Sequence, residues 1–300
     1  MKKLLLLAVT SALLATGCKK DDNKTPDKNI TTIVSNDPNF SLLLAALKKA
    51  ELVTTINTSQ NITVFAPDNA AFAAAGIDAA AIGNLSKEAL ASLLTYHVVA
   101  SRVASGSVPV SGAVATLLAN RKIFASRNAN GVFVNGIKVK TADIAADNGI
   151  IHVIEKVLTP PTQTIAQIAA ATPSLSLLLT AVGKAGLANA VSGDGNFTVF
   201  APTNAAFNAA GFNSNADITN ASTPLITTVV SYHVLNTNVF ASDLINNSTA
   251  TSLSGPLLIN TMPAASVKIS SSANPASKIT TANIVAINGV VHLIDRVLLP

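Results

Sequence analysis

The chain is short of charge, aromatic rings and cysteine. Charged residues are 12% of its 300 positions, against about 25% in an ordinary soluble domain. Hydrophobic residues are 49%, the opposite of the balance that keeps a chain disordered. A single cysteine excludes an internal disulfide and any zinc cage built on cysteines. No tryptophan and two tyrosines leave few platforms on which a sugar or a base could stack. The formal charge of +5 is gathered at the start. Residues 1–28 hold six lysines and three aspartates, and the other 272 hold 14 basic and 12 acidic groups. The body is therefore nearly neutral and carries no basic footprint for nucleic acid.

Catalytic patterns are missing as well. No two of the fifteen glycines lie four apart, which excludes the Gly-x-Ser-x-Gly elbow. Only Gly131 and Gly136 lie five apart, and Ile137 follows them where a phosphate loop needs lysine. Gly193-Asp194-Gly195 has no glycine three places on, so it is no dinucleotide fingerprint and reads as a turn before a strand at Thr198. Neither His-x-His nor His-Glu-x-x-His occurs, so no histidine pair has metal-ligand spacing. No cofactor and no metal are expected.

The first residues read as an address. Met1-Lys2-Lys3 is positive, and Leu4 to Ala15 is an apolar run of 12 residues. A bilayer span needs about 20 residues, so the run fits the apolar part of a secretory signal. It ends in Leu14-Ala15-Thr16-Gly17-Cys18. This resembles a bacterial lipoprotein signal, although Ala15 stands where that pattern usually has leucine, with Leu14 one place earlier. The resemblance implies removal of residues 1–17 and a diacylglyceryl group on Cys18. A two- or three-chain anchor holds a protein far better than one acyl chain. Residues 18–28 are polar and read as a solvated tether. Lys20-Asp21-Asp22 within it resembles the surface-export signal of lipoproteins in the Bacteroidetes.

The remainder is one unit written twice. Thr63-Val64-Phe65-Ala66-Pro67-Asp68-Asn69-Ala70-Ala71-Phe72 returns 135 residues later as Thr198-Val199-Phe200-Ala201-Pro202-Thr203-Asn204-Ala205-Ala206-Phe207. Tyr96-His97-Val98 returns as Tyr232-His233-Val234, and Asn148-Gly149-Ile150-Ile151-His152 as Asn288-Gly289-Val290-Val291-His292. A period this long is not a solenoid repeat of 20–50 residues. It marks two whole domains, 29–160 and 161–300, joined near Pro160-Pro161.

Local patterns agree between the copies. Asp37-Pro38 opens a helix with a capping carboxylate and a proline. Phe40, Leu43, Leu44 and Leu47 then form one apolar stripe. In the second copy Thr172-Pro173 opens the helix, and Leu175, Leu178, Leu179 and Val182 form the stripe. Later helices start near Ser86 and Thr223 and run into Tyr-His-Val. Strands are expected at Thr63–Ala66 and Val132–Val134, and Asn135-Gly136 is a hairpin turn leading to Ile137–Val139. Ile150–Leu158 reads as a strand buried on both faces. Helices mostly precede strands in each copy, which gives an α+β fold class. Pro67 and Pro202 should end strands, and Phe65, Phe72, Phe200 and Phe207 are expected in the core.

Thr-Val-Phe-Ala-Pro-x-Asn-x-Ala-Phe, then Tyr-His, then Asn-Gly-x-x-His, in this order and in both copies, resemble the fasciclin-type domain. The resemblance implies a β-wedge accompanied by several α-helices in each copy. It implies a non-catalytic role in cell adhesion or matrix attachment. Tyr96-His97 and Tyr232-His233 then become a candidate adhesion motif, although their apolar settings suit a structural role with both imidazole nitrogens hydrogen-bonded. The expected partners are the membrane, through the anchor on Cys18, and an extracellular protein or polysaccharide. The expected place is the bacterial outer membrane, surface-exposed. The alternatives are a periplasm-facing envelope assembly factor that binds another protein, and a glycan-binding surface lipoprotein.

Overall fold

A computed structural model describes residues 28–300, apart from 110, 194 and 263–264. Residues 1–27, with the signal, Cys18 and most of the tether, lie outside the described residues, as does Asp194 of the expected turn. Among the described residues no single helix is long and apolar enough to cross a membrane.

The first copy opens with helices α1 (Ile30–Asn36), α2 (Ser41–Lys49) and α3 (Val53–Thr58) before strand β1 (Ile62–Pro67). Helices α4 (Asn69–Ala74), α5 (Ala79–Asn84) and α6 (Lys87–Tyr96) follow, then the short strand β2 (Val98–Val99). Strands β3 (Ser111–Ala115), β4 (Lys122–Asn128), β5 (Gly131–Val134), β6 (Ile137–Ala146) and β7 (Gly149–Ile154) complete it. The second copy repeats the order. Helices α7 (Ile165–Ala171), α8 (Ser176–Lys184) and α9 (Ala188–Ser192) precede β8 (Phe197–Pro202). Helices α10 (Asn204–Ala209), α11 (Asn215–Asn220) and α12 (Thr223–Tyr232) precede β9 (Val234–Leu235). Strands β10 (Ser248–Ser252), β11 (Gly255–Asn260), β12 (Ser266–Ile269), β13 (Ser277–Ala286) and β14 (Gly289–Ile294) end the chain.

Each copy folds its strands into one seven-stranded sheet, in the order β2-β1-β7-β6-β5-β4-β3 and its equivalent in the second copy. Only one pair in each sheet is parallel: β1 on β7, with Phe65 beside His152, and β8 on β14, with Phe200 beside His292. Beyond β3, Thr116 bridges back to Val99, and the Leu117 N–H donates to the Val98 carbonyl at 2.7 Å. The two sheet edges are thereby drawn together into a wedge. The sequence explains why this parallel pair lies deepest. Strand β1 is buried at every position. Its alternation sends Ile62, Val64 and Ala66 to the helices, where Leu43, Leu47, Phe72 and Leu90 pack on them. Phe65 goes to the other face, against Tyr96, Ile123, Val134 and Leu158 inside the wedge.

The local signals act as their chemistry requires. Asp37 accepts from the Asn39 N–H at 2.9 Å, but Pro38 starts a single 3-10 turn, and α2 begins only at Ser41. Asn135 (φ 47°) and Gly136 (φ 73°) form the two-residue turn between β5 and β6, which needs positive φ at both positions. Strand β7 stops at Ile154 instead of reaching Leu158, and beyond it the Leu158 N–H donates to the His97 ring at 2.9 Å. Strand β8 begins at Phe197, one residue before the expected start.

Candidate functional site

The Tyr-His pair sits where helix α6 meets β2, at the seam between the helical layer and the wedge. Leu90 and Leu94 hold the inner face of α6 in the core, and this carries Tyr96 and His97 inward with them. Tyr96 is fully buried. Its hydroxyl donates to the Lys122 carbonyl at 3.0 Å and accepts from Asn135 Nδ2 at 2.9 Å. Burial pushes its phenol up to about 12, against a smaller opposing effect of the Asn135 bond. His97 accepts from the Leu158 N–H through Nε2, so its Nδ1 carries the proton and donates to the Leu93 carbonyl at 2.8 Å. Burial holds this imidazole down to about 4, and the Leu93 bond opposes it only in part. His233 repeats the arrangement with Val229 at 2.7 Å and Leu298 at 3.0 Å, and burial lowers it to about 4 as well. Tyr232 is half-buried, with Gly255 packed beside its ring. Of the four residues of the candidate motif, Tyr96, His97 and His233 thus face inward as neutral cross-ties, and Tyr232 alone keeps part of its surface outside.

The other repeated polar residues are cross-ties too. His152 accepts from the Asp143 N–H at 3.2 Å and bonds the Val103 carbonyl at 2.8 Å. His292 does the same with Asn283 and Val239, and burial lowers its pKa. Thr63 donates to the Ser101 carbonyl and accepts from the Val103 N–H, and Thr198 repeats this with Thr237 and Val239. Asn69 accepts from the Leu42 N–H at 3.0 Å and donates to the Pro38 carbonyl, closing the open start of α2. Asn148 accepts from the Ile30 N–H at 3.0 Å and donates to the Ile56 and Ser59 carbonyls at 2.7 and 3.2 Å. Asn204 and Asn288 hold the equivalent places. Gly149 follows because β7 presses on β1 there: a Cβ would stand 2.1 Å from the Ile62 carbonyl oxygen.

Charged chemistry is confined to the surface. Burial raises the Asp68 carboxyl, but the Lys140 ammonium and the Ala71 and Ala70 N–H groups outweigh it and hold it below the usual range. Asp68 bonds Lys140 at 2.7 Å and also caps α4 through the Ala71 N–H at 2.8 Å. Among the described residues no group of three or more His, Cys, Asp or Glu side chains could hold a metal ion.

Sequence reasoning missed the junction between the copies. Ser126 donates to the Asp243 carboxylate at 2.5 Å, and Asn128 Nδ2 donates to the Ser242 carbonyl at 2.7 Å. The Phe124 and Phe240 rings meet at 5.9 Å and pack with Val290. Arg121 Nε holds the linker by the Pro161 carbonyl at 2.8 Å. A cleft of about 820 Å³ runs beside this junction, with Lys138, Glu155 and Lys156 on one wall and Asn283 on the other. No repeated motif marks these residues. Phe124 turns to the junction from β4, on the face opposite Ile123, which packs inside the wedge.

The chain matches the family model described as Fasciclin domain twice, over residues 38–160 and 173–300. Protein sll1483 of Synechocystis sp. is 40% identical over 134 residues, 44% of this chain and 73% of that protein. Transforming growth factor-beta-induced protein ig-h3 of Sus scrofa is 38% identical over 138 residues, 45% of this chain but 20% of that protein. Periostin of Homo sapiens is 30% identical over 246 residues, 80% of this chain and 28% of periostin. Among solved structures, the FAS1 domain pair of the insect cell adhesion molecule fasciclin I matches 86% of this chain and 96% of that one, at 16% identity and a TM-score of 0.42.

Proposed function

Because this chain belongs to the fasciclin-domain family, with two copies of the domain in tandem, we propose that it is a non-catalytic adhesion protein held at the bacterial outer surface by a lipid on Cys18. Fasciclin modules are typical of adhesion-related proteins, and no enzyme family is indicated. The observation that carries the reading is the occupation of the repeated polar residues. Tyr96, His97, His152 and Asn148, and His233, His292 and Asn288 in the second copy, are engaged inside each module, so repeating the pattern from copy to copy preserves a scaffold and leaves recognition to the outer surface. Two modules on one tether suit a repeating ligand, since linked binding events gain effective concentration. The near-neutral body, rich in Ser, Thr and Asn, suits a wet polar interface with an extracellular protein or polysaccharide.

Protease shaving of intact cells tests the placement. An epitope tag at the C-terminus is followed beside a periplasmic control protein. Loss of the tag while the control survives supports the adhesion reading. A tag protected until the outer membrane is opened contradicts it and favours an envelope assembly role facing the periplasm.

A further inference from the structure

The two copies are not equally full. In the second, an apolar cavity of about 270 Å³ lies between α7, α8, α9, α12 and the helix-facing side of β8 and β14. The equivalent place in the first copy holds about 10 Å³. Sixteen residues line the larger cavity. Set against the first copy, seven are identical, nine are smaller, and none is larger. Val34 is replaced by Ala169, Phe40 by Leu175, Leu47 by Val182, Ile56 by Val191, Leu94 by Val230 and Ile151 by Val291. These six exchanges remove nine carbon atoms. The other three put Ala166 in the place of Thr31, Gly183 in that of Lys48 and Ala188 in that of Val53, so all nine exchanges remove atoms from the lining.

Protein interiors are close-packed, with few voids larger than a water. Core substitutions that are tolerated conserve total volume, a loss at one position being met by a gain at another. Here no lining position compensates. An apolar cavity of about 150 Å³ is already large enough to stay dry and take up benzene, and this one is nearly twice that size. It also has a way in. Leu179 stands at its rim with 42% of its surface exposed, and Gly183 beside it has nothing within 4 Å of where a Cβ would be. In the first copy Lys48 occupies the place of Gly183.

The lining names the chemistry of the occupant. No Phe, Tyr or Trp is among the sixteen residues, and no charged side chain is either. The one polar side chain, His233, has both ring nitrogens engaged, with the Val229 carbonyl and the Leu298 N–H. An occupant's polar group therefore finds no partner inside and must stay at the rim. We propose that the second copy, and not the first, binds the alkyl chain of an amphiphile of no net charge in this cavity, with the polar end outside near Leu179. The site is independent of the adhesion reading.

The test uses the chain from residue 18 onward carrying Cys18→Ser, so that no acyl group of its own competes. The neutral fluorophore N-phenyl-1-naphthylamine is the probe and 1-decanol the competitor. The expected result is one probe site per chain, displaced by decanol. Affinity should fall at least tenfold in Ala169→Val/Val182→Leu/Val230→Leu, which restores first-copy residues, with circular dichroism confirming that the variant is folded. A diazirine-bearing decanol gives a readout that needs no variant: crosslinks should fall on the cavity lining of the second copy, within residues 165–201 and 230–234 and at Val291. Flotation with neutral phosphatidylcholine vesicles separates the sources. Flotation of the wild type but not the filled variant assigns a membrane lipid, and decanol binding without flotation assigns a free amphiphile. No probe binding, equal binding by the folded filled variant, or crosslinks in the first copy would overturn the proposal.

Discussion

Asn148→Ala should unfasten the first copy and leave the second alone. The residue is 1% exposed, and its side chain ties two segments distant in sequence to the start of β7: the start of α1 at Ile30, and the last turn and cap of α3 at Ile56 and Ser59. Alanine leaves the Ile30 N–H and the Ile56 carbonyl buried without a partner. Each such group costs about 1–3 kcal/mol, so the expected loss is about 4 kcal/mol, a large share of a domain stability of about 5–15 kcal/mol. For a domain of this size that lowers the midpoint by on the order of 10 °C or more. Asn148→Asp keeps the acceptor for Ile30 but sets a carboxylate against two carbonyls, so it should be worse at pH 7 than near pH 4. Scanning calorimetry of the full chain reads the midpoint, and amide exchange reads the location. The Ile30 amide should lose protection while Ile165, held by Asn288 at 2.9 Å, keeps its own. Unchanged midpoints, or equal loss at Ile165, would refute the reasoning.

Three further outcomes follow from the same packing. Phe65→Ala removes a ring that is 2% exposed and sits 5.4 Å from His152; a loss of about 3–5 kcal/mol is expected, and a thermal melt with an unmoved first-copy midpoint would contradict it. His97 and His233 titrate near 4 when folded, against 6.5 for the ordinary group. The unfolded chain therefore binds more protons between these values, and stability present above pH 6.5 is lost as pH falls toward 4, by about 2 kcal/mol in each copy at pH 5. Urea unfolding at pH 7, 6 and 5 checks this, and a flat profile would count against buried neutral rings. Phe124→Ala empties the aromatic contact between the copies at a ring that is 3% exposed; it should lower the melting midpoint while X-ray scattering shows a larger maximum dimension, and an unaltered scattering curve would mean that the junction is held elsewhere.

Much of the fold was written locally. Asn135-Gly136 announced its hairpin because few residues other than Asn and Gly tolerate positive φ at both turn positions. Pro67 and Pro202 end their strands because they cannot donate to a ladder. The continuous apolar run of β7 pointed to a strand covered on both faces, and it lies in the parallel pair, buried at every position. What the sequence hid depends on distant partners. The Leu158 N–H, past the end of β7, is held by His97, 61 residues away. The contact of Ser126 with Asp243 joins residues 117 apart that no periodicity connects. The cavity was present in the text of both copies, but only as a difference in side-chain size at positions that share no motif. Fold periodicity records which face is apolar and does not record whether that face is filled.

The central claim is that two anchored fasciclin modules mediate attachment, and an attachment assay with three strains tests it most directly. Cells lacking the gene, cells restored with the wild type and cells restored with Cys18→Ala are compared for adherence to one another and to extracellular matrix. The account predicts adherence only with the wild type, blocked by excess soluble chain. Equal adherence in all three strains would contradict it.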